Sequence, residues 1–216
     1  MVNEQSKPGK TFAAVITLLG AFALAAQFII SMHSRQTSLI AAIIRYFGFF
    51  TILTNILVTA CAAFLWLAPQ TAWGKFFSKP MVQTATAVYI LVVGLTYNII
   101  LRGIWHPEGL ARFVDESLHV IMPLLFFLFW LVYSPKSNLS YKVIPWLIYP
   151  FLYGLYCIIQ GSFSGYYPYP FMDAVKLGYA AVAVNLGALL LVFLLLSLLL
   201  VAIGKRIATK SIKAKS

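Results

Sequence analysis

The stretch Asp115-Glu116-Ser117-Leu118-His119-Val120-Ile121-Met122-Pro123, running straight into Leu124 to Tyr133, decides how the chain folds. Two carboxylates and a histidine occupy the last polar turn before an apolar segment without a single charge. Such a junction marks the edge of a bilayer, because an apolar run in hydrocarbon must satisfy its backbone internally, as a helix. From His119 to Tyr133 the run is short for a hydrocarbon layer of about 30 Å crossed at about 1.5 Å per residue. Either it crosses a thin region with little tilt, or part of Arg112 to Leu118 dips below the headgroups.

Composition carries the same reading outward. Of 216 residues, 62% are hydrophobic and 10% charged, too few charges to clothe a water-soluble surface. Six apolar runs, at about 11–32, 47–67, 81–101, 117–133, 141–161 and 177–203, predict an all-α polytopic membrane protein. It forms a single transmembrane domain over residues 1–216, with a basic tail from Gly204 that frays. The first run has the length of a span and no small-residue cleavage site, so it is expected to stay as an uncleaved helix. A net charge of +11 would suggest nucleic acid in a soluble protein; in short loops and tails beside apolar runs it sets orientation instead. Of the sixteen basic residues, eleven fall at the termini and in the second and fourth loops. The other five are Arg35, Arg45, Arg102, Arg112 and Lys176, an asymmetry that puts both termini in the cytoplasm. Cys61 and Cys157 lie inside apolar runs without metal-ligand spacing, so no metal and no cofactor is expected, and both cysteines are read as packing.

With orientation assigned, depths can be compared between spans. Gln27, Ser31, Thr51, Thr54, Asn55, Thr96, Asn98, His119, Gln160 and Asn185 all fall in the outer halves, and the inner halves are almost purely aliphatic and aromatic. A polar group in hydrocarbon costs several kcal/mol unless it is bonded within the protein. The layer is therefore either a shared cavity or a set of independent helix-to-helix bonds.

Within that layer Thr51 and His119 can work together. Thr54 and Asn55 follow Thr51 at i+3 and i+4 on one helix face. Asp115 at i−4 and Glu116 at i−3 can hold the outer ring nitrogen of His119. A hydroxyl, an imidazole and a carboxylate at one depth can act as nucleophile, general base and orienting anion. The plainer alternatives are an interfacial histidine bonding a neighbouring hydroxyl and a threonine bonding back to its own helix. Tyr166-Tyr167-Pro168-Tyr169-Pro170 reads as an interfacial aromatic belt or as a lid over the polar layer. Arg102 is an interfacial anchor or a carboxylate receptor. Gly161-Ser162-Phe163-Ser164-Gly165 is not a nucleophile elbow, since its central residue is Phe163.

The run Phe49-Phe50-Thr51-Ile52-Leu53-Thr54-Asn55, with His119-Val120-Ile121-Met122-Pro123 one helix pair later and six spans, resembles the androgen-induced-protein superfamily of membrane hydrolases. The Thr-Ile-Leu-Thr-Asn run and the Tyr-Tyr-Pro-Tyr-Pro loop make its bacterial branch the nearer likeness, which implies a bacterial cytoplasmic membrane. The resemblance implies a hydrolytic pair, Thr51 and His119 with Thr54 as the second choice of nucleophile, acting on fatty-acid-like esters. Two functions follow as expectations. One is an intramembrane ester hydrolase with Asn55 or Asn98 as oxyanion donor and Arg102, Gln160 and Asn185 in supporting places. The other is a non-catalytic lipid or small-molecule binding or transport protein. Membrane lipids and a lipid-like substrate are the expected partners.

Overall fold

Helix α1 (Lys7–His33) begins at Ser6, whose hydroxyl accepts from the Gly9 amide at 3.4 Å. The protein is seen in a computed structural model that describes residues 6–213, with side chains through residue 210. After α1 a short helix α2 (Leu39–Phe47) lies in the first connection, ahead of α3 (Phe50–Leu67). A second short helix, α4 (Ala72–Phe77), leads to α5 (Pro80–Thr96), which continues as a π-helical turn over Tyr97–Leu101. Next come α6 (Gly109–Glu116), a π-helical turn over Ser117–Ile121, and α7 (Met122–Tyr133), end to end. A 3-10 turn (Ile144–Leu147) leads into α8 (Ile148–Ser164). A second 3-10 turn (Pro170–Met172) and the single-turn α9 (Ala174–Leu177) precede α10 (Tyr179–Lys213).

Six of these helical stretches are long and apolar enough to cross a membrane, and no strand occurs among the described residues. The chain is an all-helical integral membrane protein. The fourth span is not short: helix runs from Gly109 to Tyr133 over 25 residues, so the polar turn with Asp115 and Glu116 belongs to it. Pro123 explains the π turn just before α7. It has no N–H for the His119 carbonyl, and its ring crowds that carbonyl, so the turn above it widens. The tail does not fray at Gly204, since α10 continues to Lys213; residues 214–216 lie outside the described part, as do residues 1–5.

The third span is the centre of the bundle, with 61% of its apolar window buried, against 22% for the sixth. It packs against α3, α7 and α10, and α1 lies across α3 and α7. Small residues let the backbones approach. A side chain on Gly20 of α1 would strike Thr59 of α3. At Gly94 of α5 a Cβ would stand 3.2 Å from Pro123 Cβ and 3.3 Å from the His119 carbonyl. Gly94 thus sets α5 directly against the π turn that carries His119.

Buried polar groups are not confined to one level. At the end of the bundle away from Asp115 and Glu116, Gln83, Thr84, Ser134 and Lys136 are all buried. Each is satisfied locally. Gln83 donates to the Phe77 carbonyl at 2.9 Å and accepts from the Ser134 hydroxyl, Trp130 Nε1 donates to Thr84 at 3.0 Å, and Lys136 donates to the Trp130 and Ser134 carbonyls. These bonds fasten loop ends to helices. The expectation of an almost purely apolar inner half is corrected on this point.

Candidate functional site

Helix α3 starts without a side-chain cap of its own, because Phe49 stands at the N-cap. Its first amides would be orphaned in an apolar setting, where each costs several kcal/mol. Two tyrosines from distant segments take them. Tyr153 of α8 accepts from the Phe50 amide at 3.1 Å and donates to the Gly48 carbonyl at 2.8 Å. Tyr169, from the loop between the last two spans, accepts from the Thr51 amide at 3.4 Å. The same phenol oxygen lies 3.4 Å from Thr51 Oγ1. Burial pushes the Tyr169 hydroxyl up to about 12, against the opposing effect of its bonds to Thr51, so it stays a neutral group with a proton to give.

His119 sits in the middle of the π turn, its ring stacked on Tyr97 with centroids 4.1 Å apart and planes 16° from parallel. Its Nδ1 lies 2.9 Å from the Asp115 carbonyl and 3.1 Å from Asp115 Oδ1. Both are acceptors, so Nδ1 carries the proton, and Nε2 is the basic nitrogen with no hydrogen-bond partner among the described residues. Asp115 is itself held, for its second oxygen accepts from the Tyr97 hydroxyl. Tyr97 therefore supports the imidazole twice, by stacking on it and by fixing its anion.

Thr51 and His119 line one cavity of about 320 Å³, within the size range of small-ligand sites. Thr96, Tyr97, Tyr153 and Tyr169 supply its other polar edges, and the remaining wall is apolar. Among the described residues no hydrogen bond joins Thr51 to His119; the hydroxyl is turned to Tyr169. The cavity stops at Val92 and Phe193, and below it Phe126, Phe129 and Trp130 fill the core with no exposure.

The other sequence candidates divide. Asp115 reaches His119, whereas Glu116 pairs with Arg102 at 2.7 Å, on the rim, where Arg102 also lies 5.2 Å from the Tyr97 ring centroid. The Glu116 hydrogen bond raises the Arg102 pKa above its ordinary value. Thr54 is fully buried, 3.3 Å from the Tyr149 hydroxyl, and does not line the cavity. Asn55 spends its amide on the Thr51 carbonyl at 2.9 Å and the Leu118 carbonyl at 3.2 Å, tying the second span to the fourth. Asn98 is exposed and bonds back to the Gly94 carbonyl at 2.8 Å. Neither asparagine lines the cavity. Gln160 bonds Ser164 on its own helix at 2.9 Å, and Asn185 holds the Phe171 carbonyl at 2.8 Å. The polar layer that the sequence pointed to is thus part cavity and part helix-to-helix bonding.

Sequence reasoning missed Tyr97 and Tyr153, and left Tyr169 between belt and lid. The three tyrosines of that loop go to different places: Tyr166 lies under Arg45, with the guanidinium 4.3 Å from the ring centroid, Tyr167 packs on Gly161, and Tyr169 is buried over Thr51. A buried phenol needs a partner, but with twelve tyrosines the sequence does not say which are buried. No protein-family model matches the chain, and no curated protein or solved structure matches it either.

Proposed function

We propose that this protein is an intramembrane hydrolase of lipid-like esters, with Thr51 as nucleophile, His119 as general base and Asp115 as the anion that orients the base. The observation that carries this reading is a histidine with Nδ1 fixed by a buried carboxylate, lining the same apolar cavity as a hydroxyl at the start of a helix. A substrate carbonyl beside Tyr169 accepts the hydrogen bond of the phenol in place of Thr51, which frees the Thr51 side chain to turn toward His119. Catalytic hydrogen bonds are commonly long until substrate arrives. Thr51 Oγ1 then adds to the carbonyl carbon while His119 Nε2 takes its proton. The tetrahedral oxyanion is met by the Tyr169 hydroxyl and by the positive end of α3. Collapse expels the alcohol, which leaves with the proton from His119. A water activated by the same nitrogen hydrolyses the acyl-threonine and restores Thr51. Kinship with the bacterial branch of the androgen-induced-protein superfamily, cytoplasmic termini and a bacterial cytoplasmic membrane belong to the same proposal; they rest on the Thr51 and His119 motifs and on the basic asymmetry of the loops.

Purified protein in phosphatidylcholine nanodiscs, given a fluorogenic medium-chain ester, tests the assignment. Thr51→Ala and His119→Ala should each lose about 100-fold or more in kcat/KM, and a fluorophosphonate probe should label wild type at Thr51 alone. Undiminished hydrolysis in Thr51→Ala sinks it. A second reading, a lipid-binding protein without catalysis, draws on one observation, the bond from Thr51 to Tyr169 in place of His119. It expects lipid to co-purify with wild type and no turnover of any ester.

A further inference from the structure

The side of the cavity opposite Thr51 and His119 is built by α8 and α10. Four residues there line the cavity and are also exposed on the flank of the bundle: Phe151 and Leu155 on α8, Ala183 and Gly187 on α10. Phe151 is 56% exposed and Leu155 44%, more than an enclosed wall allows. The cavity therefore opens sideways, through the gap between two membrane-crossing helices. Gly187 leaves the gap open on the α10 side. A Cβ on Gly187 would meet no atom within 4 Å, whereas at buried Gly154 the two helices touch, with Leu186 Cδ2 3.3 Å from where a Cβ would stand.

The gap has a roof and a floor. Phe171, stacked on Tyr169 with centroids 5.2 Å apart and tied by its carbonyl to Asn185, closes it at the loop end. Phe193, packed edge-on against Phe50 at 5.7 Å, closes it in depth. Between Ala183 and Phe193 the lining on α10 rises about 15 Å at 1.5 Å per residue; every α10 residue along it is apolar, and on α8 the one polar atom is the Tyr153 hydroxyl, already spent on the Phe50 amide and the Gly48 carbonyl.

We infer that the slot between α8 and α10 is a groove for a single acyl chain, admitted sideways from the bilayer. The tail lies along α10, and the linkage to its headgroup ends beside Thr51 and His119. A polar or water-borne ligand finds no free donor along the α8 and α10 walls, where the Tyr153 hydroxyl is held by the Gly48 carbonyl, whereas a hydrocarbon tail passes from lipid to groove along apolar side chains. The volume of about 320 Å³ lies at the small end of ligand cavities, about 300 to 1,000 Å³, and suits a single-chain amphiphile. The nature of the reacting bond rests on the hydrolase reading, but the tail groove does not.

A photo-crosslinking experiment separates the two. The probe is a single-chain alkyl ether lipid with a diazirine in its tail and no ester, presented in phosphatidylcholine nanodiscs and mapped by peptide mass spectrometry. In wild type and in Thr51→Ala, adducts should concentrate on residues 150–158 and 183–193. Gly187→Trp should cut them at least tenfold, and Ala183→Trp, a second way of filling the gap, should do the same. Leu191→Trp, on an exposed part of the same helix outside the cavity, should leave them unchanged. Wild-type adducts in both blocking variants, or adducts spread evenly over the exposed faces of α1 and α10, overturn the groove whatever the hydrolysis assays give. Loss of adducts on blocking, together with full esterase activity in Thr51→Ala, keeps the groove and removes the hydrolase.

Discussion

Asp115 is the residue on which the imidazole depends, and its replacement separates orientation from charge. In Asp115→Asn the side chain keeps its size but can offer Nδ1 an N–H, which favours the tautomer with the proton on Nε2 and removes the base from the cavity. We expect a fall in kcat of about 100-fold or more with little change in KM, measured on the same medium-chain ester. Tyr169→Phe makes the complementary test. It removes the donor facing Thr51 while leaving the ring on Phe49 and Phe171, and loss of one oxyanion donor typically costs about 10²–10³ in kcat. Equal kcat in wild type and Tyr169→Phe would assign the phenol to capping alone. A third residue bears on stability rather than turnover. Lys136 lies in the loop after α7, and burial lowers its pKa from 10.5 to about 8. The folded state therefore gives up this proton more readily than the unfolded chain, which binds more protons between about pH 8 and 10.5. The buried charge weakens the fold below pH 8, and stability should rise as pH increases through that window. Lys136→Met should flatten the part of the rise due to this lysine in Tm measured against pH; an unchanged profile refutes the assignment.

The two π-helical turns, Tyr97–Leu101 and Ser117–Ile121, face each other and bring Tyr97 onto His119. Gly94 is the element-level control on that arrangement. Gly94→Leu should drive the His119 carbonyl and Pro123 away from α5, misalign the histidine and lower activity at least tenfold, with helix content by circular dichroism unchanged. Wild-type activity in that variant would show that the spacing of the two turns does not matter. These turns also mark where the sequence stopped being legible. Each span could be found because a membrane helix must be long, apolar and continuous, conditions visible in one dimension. A π turn adds a register change with almost no compositional trace; the nearest signal was Pro123, four residues beyond His119. The i−4 relation of Asp115 to His119 was legible, since it lies within one helix. The choice of Asp115 over Glu116 was not, because Arg102, fourteen residues earlier, takes Glu116.

At the scale of the whole molecule, depth along the bilayer was readable and azimuth was not. Matching depths brought Thr51 and His119 to one cavity, but could not tell that Asn98 faces outward or that Thr54 and Asn55 turn to other helices. Depth is fixed by counting residues from a span's end, whereas facing depends on which helices are neighbours. The proposed orientation is open to direct measurement. A cysteine placed at Gly103, where no atom would crowd it, should react with a membrane-impermeant maleimide from outside intact cells, and one at Lys142 only after lysis. The reverse pattern would invert the topology.

The capping of α3 carries a consequence for how the protein is made. The amides at Phe50 and Thr51 are met by hydroxyls 103 and 118 positions later in the chain. A ribosome delivers the second span long before Tyr153 and Tyr169 exist. Until the fifth span and the loop after it arrive, the Phe50 and Thr51 amides lack the hydroxyls that cap them. The cap of the helix that bears Thr51 is therefore completed only during the last third of translation.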